Sequence, residues 1–108
     1  MILMLNARGM KDWNMPQAEQ FLLENIKIPT ASATEWMSPL SLLGITLVPE
    51  EQGTWAAQAA LKILEGQAPN SIPIARNQDG KLFVNLKIAE KLGVAIKPSL
   101  IHLGKIIR

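Results

Sequence analysis

The chain contains no cysteine and no tyrosine, a single histidine, and aromatic residues at only 5% of its 108 positions. Without cysteine there is no disulfide, no thiolate nucleophile and no Cys-ligated metal, and the redox compartment is left open. His102 lies between Ile101 and Leu103 in an apolar tail, with no second histidine to join it. A Cys–His pair, a Ser–His–Asp triad and a His-rich metal site therefore have no support, and His102 reads as structural or exposed. Charge is also scarce: 19% of residues are charged, and the net charge of +2 is spread over the whole length. A nucleic-acid interface would need a clustered basic patch, so no nucleic-acid partner is expected. GxGxxG and GxxxxGK are absent, which removes nucleotide binding by those loops. Long apolar runs are missing too. The opening Met1–Leu5 is interrupted by Asn6 and Arg8 before a signal-peptide core could form, and nothing approaches the roughly 20 residues that cross a bilayer. These absences lead to the expectation of a chain with no catalytic site, no cofactor and no metal.

What the chain does have is a 48% hydrophobic content, enough for one core at this length. Ile2–Leu5 reads as a buried strand running into a loop. Asn14 can cap the next helix, with Gln17 three residues on and Pro16 in the first turn, and Ala18, Phe21, Leu22 and Asn25 fall on one face. Lys27–Ala31 is a short strand that Pro29 demotes to an edge or a strand end. Ser32–Ser41 is a loop with one helical turn, and Leu42–Val48 is another strand. The clearest helix starts at Pro49, carries Glu50 and Glu51 at the positive end of its dipole and stops at Gly66. Its stripe of Ala56, Ala57, Ala60, Leu61 and Leu64 implies close approach to a sheet. Ile72–Arg76 and Lys81–Val84 read as an extended pair joined by Asn77-Gln78-Asp79-Gly80. Asn85 caps a helix over Leu86–Leu92 that Gly93 ends, and a short helix can follow Pro98 in the tail. The order fits a small α/β sheet with three or four central strands, one edge of which lacks a neighbour.

Binding residues come from the loops after strands, where open α/β sheets build ligand clefts. Gly9 occupies such a position. Trp13 and Trp36 also lie in loops after strands, as a lid over the sheet edge or as a cleft wall. Trp55, early in the long helix, is either core or rim. Asp12 and Glu35 are loop acids, either solvated or binding, and Glu50 and Glu51 either serve the helix dipole or meet a cationic ligand group.

The elements Ile28-Pro29-Thr30, Glu35-Trp36-Met37, Pro49-Glu50-Glu51-Gln52-Gly53, Ala56-Ala57, Ala60-Leu61, Gly66, Pro69, Ile72-Pro73 and Val84-Asn85-Leu86 with Leu92-Gly93, taken in order and spacing, resemble the C-terminal third of ABC transporter substrate-binding proteins. The resemblance implies an incomplete three-layer (αβα) Rossmann-like lobe of a type I periplasmic binding protein. Residues 1–108 would form one α/β domain or fragment, with 72–108 as the hinge-crossing and terminal segment. It also implies a small-molecule solute, such as an amino acid, an ABC permease as partner of the full-length parent, and a periplasmic or extracytoplasmic location for that parent. The chain as written would stay in the cytoplasm if expressed alone. By the resemblance, Arg8, Gly9, Glu35, Trp36 and Glu50 face solute, and Trp13 joins them from its loop. One lobe covers only one side of a ligand, so weak affinity is expected. Apolar surface around Leu82, Val84, Leu86 and Leu92 is expected to be exposed and to drive homodimerisation. The competing expectation is a free-standing cytoplasmic interaction or sensory module.

Overall fold

The structure, a computed structural model, describes residues 1–108. The chain divides into two compact units, one comprising residues 1–46 and 81–108 and the other residues 47–80.

The first unit is built on the sheet. In chain order the molecule forms β1 (Ile2–Met4), α1 (Met15–Asn25), β2 (Thr30–Ser32), a 3-10 helix over Glu35–Leu40, and β3 (Leu43–Leu47). After the second unit's helix come β4 (Gly80–Asn85), α3 (Leu86–Leu92), α4 (Pro98–Leu103) and β5 (Lys105–Ile107). The strands lie in the order β1-β2-β3-β4-β5. The β1–β2, β2–β3 and β4–β5 pairs are parallel, and the Asn85 amide donates to the Leu42 carbonyl at 3.0 Å. Parallel pairs need crossover connections, which is why helices alternate with strands here. The order never reverses, so any cleft at the carboxyl ends of these strands is shaped by the loops and not by a switch point.

The core lies where α1 and α3 meet. Ile26, Leu42, Ile88 and Ala89 are buried together, with Leu22, Leu23, Leu43, Leu92 and Ile96 packed around them. Both helices start where the sequence places them. The Asn14 side chain accepts from the Gln17 amide at 3.0 Å, the Asn85 side chain accepts from the Ile88 amide at 3.2 Å, and Gly93 ends α3 at φ +65°. Buried polar groups in the sheet are satisfied locally: the Thr30 hydroxyl and carbonyl both accept from the Leu42 amide.

The second unit is the long helix α2 (Pro49–Leu64) followed by a short 3-10 turn at Pro69–Ser71 and an irregular run to residue 79. None of the α2 residues is buried.

Several expectations are corrected. β1 is an exposed edge strand and not a buried one, with Leu3 55% exposed. β2 lies inside the sheet and not at its edge, and Pro29 marks its end: the proline immediately precedes Thr30, and its carbonyl accepts from the Ile2 amide. Phe21 is exposed; Leu22, Leu23 and Ile26 form the core face of α1 instead. Residues 72–76 pair with nothing and no hairpin forms, since β4 takes β3 and β5 as neighbours. The strand β5 went unread, because a three-residue strand offers too little periodicity to detect. The α2 stripe is exposed, Leu61 at 58% and Leu64 at 83%. The surface assigned to homodimerisation is largely closed within the chain: Val84 is fully buried, and Leu82, Leu86 and Leu92 are partly buried. That surface therefore cannot form the dimer interface.

Candidate solute-binding face

In the parallel β1–β2 pair, both strands end on the same edge of the sheet, so the loops that follow them lie side by side. The loop after β1 turns sharply. Ala7 is buried, its carbonyl accepts from the Met10 amide at 3.2 Å, Gly9 adopts φ +89°, and Asp12 adopts φ +61°. Only a residue without Cβ enters the Gly9 region at no steric cost. The Asn6 side chain holds the Arg8 amide at 2.8 Å. These turns deliver Trp13 immediately before the α1 cap.

The loop after β2 enters its 3-10 helix at once. Met37, Ser38 and Leu40 are buried, and the Ser41 hydroxyl donates to the Met37 carbonyl at 3.0 Å. This anchored turn carries Glu35 and Trp36 on its first residues, and both are at least partly accessible.

The two loops bring their functional side chains together. The Trp13 and Trp36 rings lie 6.2 Å apart between centroids, tilted by 47°, within the range of favourable aromatic pairs. The Arg8 guanidinium stands 6.0 Å above the Trp36 ring, at the outer limit of a cation–π contact. The Trp13 indole N–H is buried without a hydrogen-bond partner, which is costly for a donor of this kind. Glu35 is ion-paired with Lys105 at 3.3 Å, with both side chains more than half exposed. Such a pair contributes about 0–1 kcal/mol and exchanges readily. Lys105 also lies 5.8 Å from the Phe83 ring centroid.

Of the residues singled out in the sequence, Arg8, Trp13 and Trp36 form one contiguous cluster, with Gly9 in its turn and Glu35 beside Trp36. Glu50 belongs to the second unit, at the start of α2. His102 is exposed on α4. Lys105, the partner of Glu35, went unnoticed because 70 residues separate the two.

The second unit has its own polar feature. The Glu51 carboxylate accepts from the Gln78 amide at 2.7 Å, the Asp79 amide at 3.2 Å and the Asn77 side chain at 2.9 Å. The Gln78 amide and the Asn77 side chain, the two strongest influences, hold its pKa below the usual 4.5. This clamp borders an open groove of about 760 Å³ lined in part by Trp55, Gln58 and Arg76. Trp55 is thus a rim residue, 42% exposed. Nothing local in the sequence announces the clamp, since its partners are 26 to 28 residues away.

The first unit is thus an open, largely parallel sheet with aromatic and cationic side chains on the loops at its strand ends. The family model described as ABC transporter substrate binding protein matches residues 21–105, and the chain belongs to that family. Three solved structures are similar. One is the ligand-free, open structure of a substrate binding protein with adhesive properties from Clostridium difficile, 25% identical with a TM-score of 0.62, covering 87% of this chain and 31% of that one. A second is the ABC domain in complex with L-Trp from Streptococcus pneumoniae, at 23% identity and TM-score 0.57, covering 76% and 29%. The third is a conserved domain protein from Vibrio cholerae, at 22% identity and TM-score 0.56, covering 76% and 28%. The chain thus spans about three tenths of the solved structures it matches. No curated protein matches it. The fold class is an incomplete Rossmann-like αβα lobe of the substrate-binding type. No helix is long and apolar enough to cross a membrane.

Proposed function

We propose that this chain supplies one wall of a solute site in an ABC-type import system, and that Arg8, Trp13 and Trp36 are its contact residues. The observation that carries this reading is the pair of tryptophan rings 6.2 Å apart with a guanidinium over one of them, on two loops at the carboxyl ends of adjacent strands. An aromatic or apolar solute body stacks on the indoles, and its anionic group meets Arg8. Gly9 fixes the turn that positions the loop, and Glu35, next to Trp36, takes an ammonium group in place of Lys105. A small amino acid derivative with an aromatic side chain suits these groups, and the Streptococcus pneumoniae ABC domain, to part of which this chain is similar, has been solved in complex with L-Trp. In the complete system the loaded protein would present its solute to a membrane permease from the extracytoplasmic side.

Equilibrium dialysis with L-phenylalanine and with its amide, which lacks the carboxylate, tests the assignment. Arg8→Met should weaken L-phenylalanine binding about tenfold, the size of one charge-assisted hydrogen bond, while leaving the amide's binding unchanged. An equal loss for both compounds, or none for either, would remove Arg8 from the site.

A further inference from the structure

Lys105 is the first residue of β5, and the sheet brings it to a loop that the chain left 70 residues earlier. β5 runs parallel to β4 with Lys105 directly opposite Phe83, and partners in register put their side chains on the same face. Gly104 permits this close approach, because a Cβ there would lie 3.0 Å from Val84 Cγ2 and 3.1 Å from the Leu100 carbonyl oxygen. The Lys105 ammonium accordingly rests 5.8 Å from the Phe83 ring centroid, a cation–π distance.

On the other side of Phe83 the sheet carries no side chain at Gly44. A Cβ at Gly44 would stand 3.9 Å from Phe83 Cβ and 2.9 Å from Ser32 Oγ. Ser32, Gly44, Phe83 and Lys105 thus form one row across the sheet, and Ser32 ends β2 three positions before Glu35. Lys105 Nζ meets Glu35 Oε1 at 3.3 Å, with the two side chains 70% and 57% exposed. One cation therefore has two holders, a ring and a carboxylate. The carboxylate is the one that a ligand ammonium would need.

We propose that Lys105 is a built-in counter-cation that cancels the value of an α-ammonium group, so that the site takes aromatic carboxylates with or without that group. The proposal rests on the solute-binding reading of Arg8, Trp13 and Trp36. An incoming ammonium has to displace Lys105 from Glu35, and so gains one exposed ion pair at the loss of another of the same kind. A ligand without an ammonium leaves the Lys105–Glu35 pair in place and still has Arg8 for its carboxylate and the indoles for its ring. Strong discrimination requires that the wrong ligand leave a group of the site unpaired. Lys105 prevents this at Glu35.

Equilibrium dialysis with L-phenylalanine and with hydrocinnamate, the same skeleton without the ammonium group, reads the outcome as a ratio of dissociation constants. In the wild-type chain the two constants should agree within about threefold. Lys105→Met should shift the ratio about fivefold in favour of L-phenylalanine, since Glu35 then waits unpaired for an ammonium. Lys105→Gln keeps a polar side chain at this exposed position and should give the same shift if Lys105→Met disturbs folding. Adding Glu35→Gln to either variant should restore the wild-type ratio. A wild-type ratio beyond threefold overturns the proposal. So does a ratio that both Lys105 variants leave unchanged, or a shift that persists without the Glu35 carboxylate. Arg8→Met separates this from the reading beneath it. Where Arg8→Met weakens both compounds but the Lys105 variants leave their ratio unmoved, the counter-cation alone is refuted. Where neither compound binds, or Arg8→Met weakens neither, the solute-binding reading fails and the counter-cation falls with it.

Discussion

Glu51 is the residue whose charge has the most definite structural task in the second unit. Its carboxylate gathers two backbone amides and one side-chain amide from residues 77–79, and these donors favour the ionised form. Because the folded pKa lies below the ordinary 4.5, the clamp's contribution is fully present above that value and is lost as pH falls through the lower folded value. Amide exchange at Gln78 and Asp79, followed by NMR through that acid range, should accelerate as the carboxyl protonates. In Glu51→Gln the same amides should exchange faster at neutral pH and show no such transition. A wild-type profile that is flat below pH 4.5 would show that the clamp does not depend on ionisation. At the same scale, the aromatic cluster was legible only in part. Trp13, Trp36 and Arg8 could be placed in loops after strands, because apolar runs ending in polar residues mark strand ends. Their mutual distances depend on the turn at Gly9 and on the pairing of β1 with β2, and neither has a local signature.

Among the elements, α3 is the best determined, and Asn85 shows why. It is 1% exposed, caps the Ile88 amide with its side-chain oxygen and donates through its side-chain nitrogen to the Pro39 carbonyl at 2.9 Å. Asn85→Ala removes a helix cap, which costs about 1 kcal/mol, and leaves a carbonyl without its donor, which costs about 1–3 kcal/mol more. Urea denaturation should show a loss of about 2–4 kcal/mol with an unchanged m-value; a loss below about 1 kcal/mol would mean that water takes over both contacts. The cap itself was evident from Asn85 preceding an apolar helix that ends at Gly93. The bond to Pro39, 46 residues away, was not. The same division holds across the fold. Helices with caps and glycine stops can be read directly, whereas β5, with three residues, leaves no pattern, and the extended pattern at 72–76 does not form a hairpin strand. Turn chemistry at Asn77–Gly80 signalled a reversal, but Glu51 and not a partner strand holds that segment.

At the scale of the whole molecule, burial is unevenly distributed. The core of the first unit joins α1, α3 and the sheet, whereas α2 has no buried residue over its 16 positions. A helix of that length without a packed face is marginal in water. Hydrogen exchange should therefore show weak protection for residues 49–64 and strong protection for residues 83–89. Equal protection of the two segments would mean that α2 has a packing partner in solution. The amphipathic pattern of α2 specifies a helix but not whether its stripe is covered, because that depends on what the chain packs against. The homology pattern was the more informative signal here: the spaced elements from Ile28 to Gly93 pointed to a substrate-binding protein lobe, and the family match over residues 21–105 bears this out.

The three tryptophans provide an internal test of where solute binds. Trp13 and Trp36 lie in the proposed site in the first unit, and Trp55 lines the groove of the second. Titrating the ¹⁵N-labelled chain with L-phenylalanine into the millimolar range, while following the three indole N–H resonances, separates the alternatives even when affinity is weak. Saturable shifts of the Trp13 and Trp36 signals with Trp55 unmoved are the predicted result. A response confined to Trp55, or no response from any of the three, would contradict the assignment of the Arg8–Trp13–Trp36 cluster as the solute-binding face.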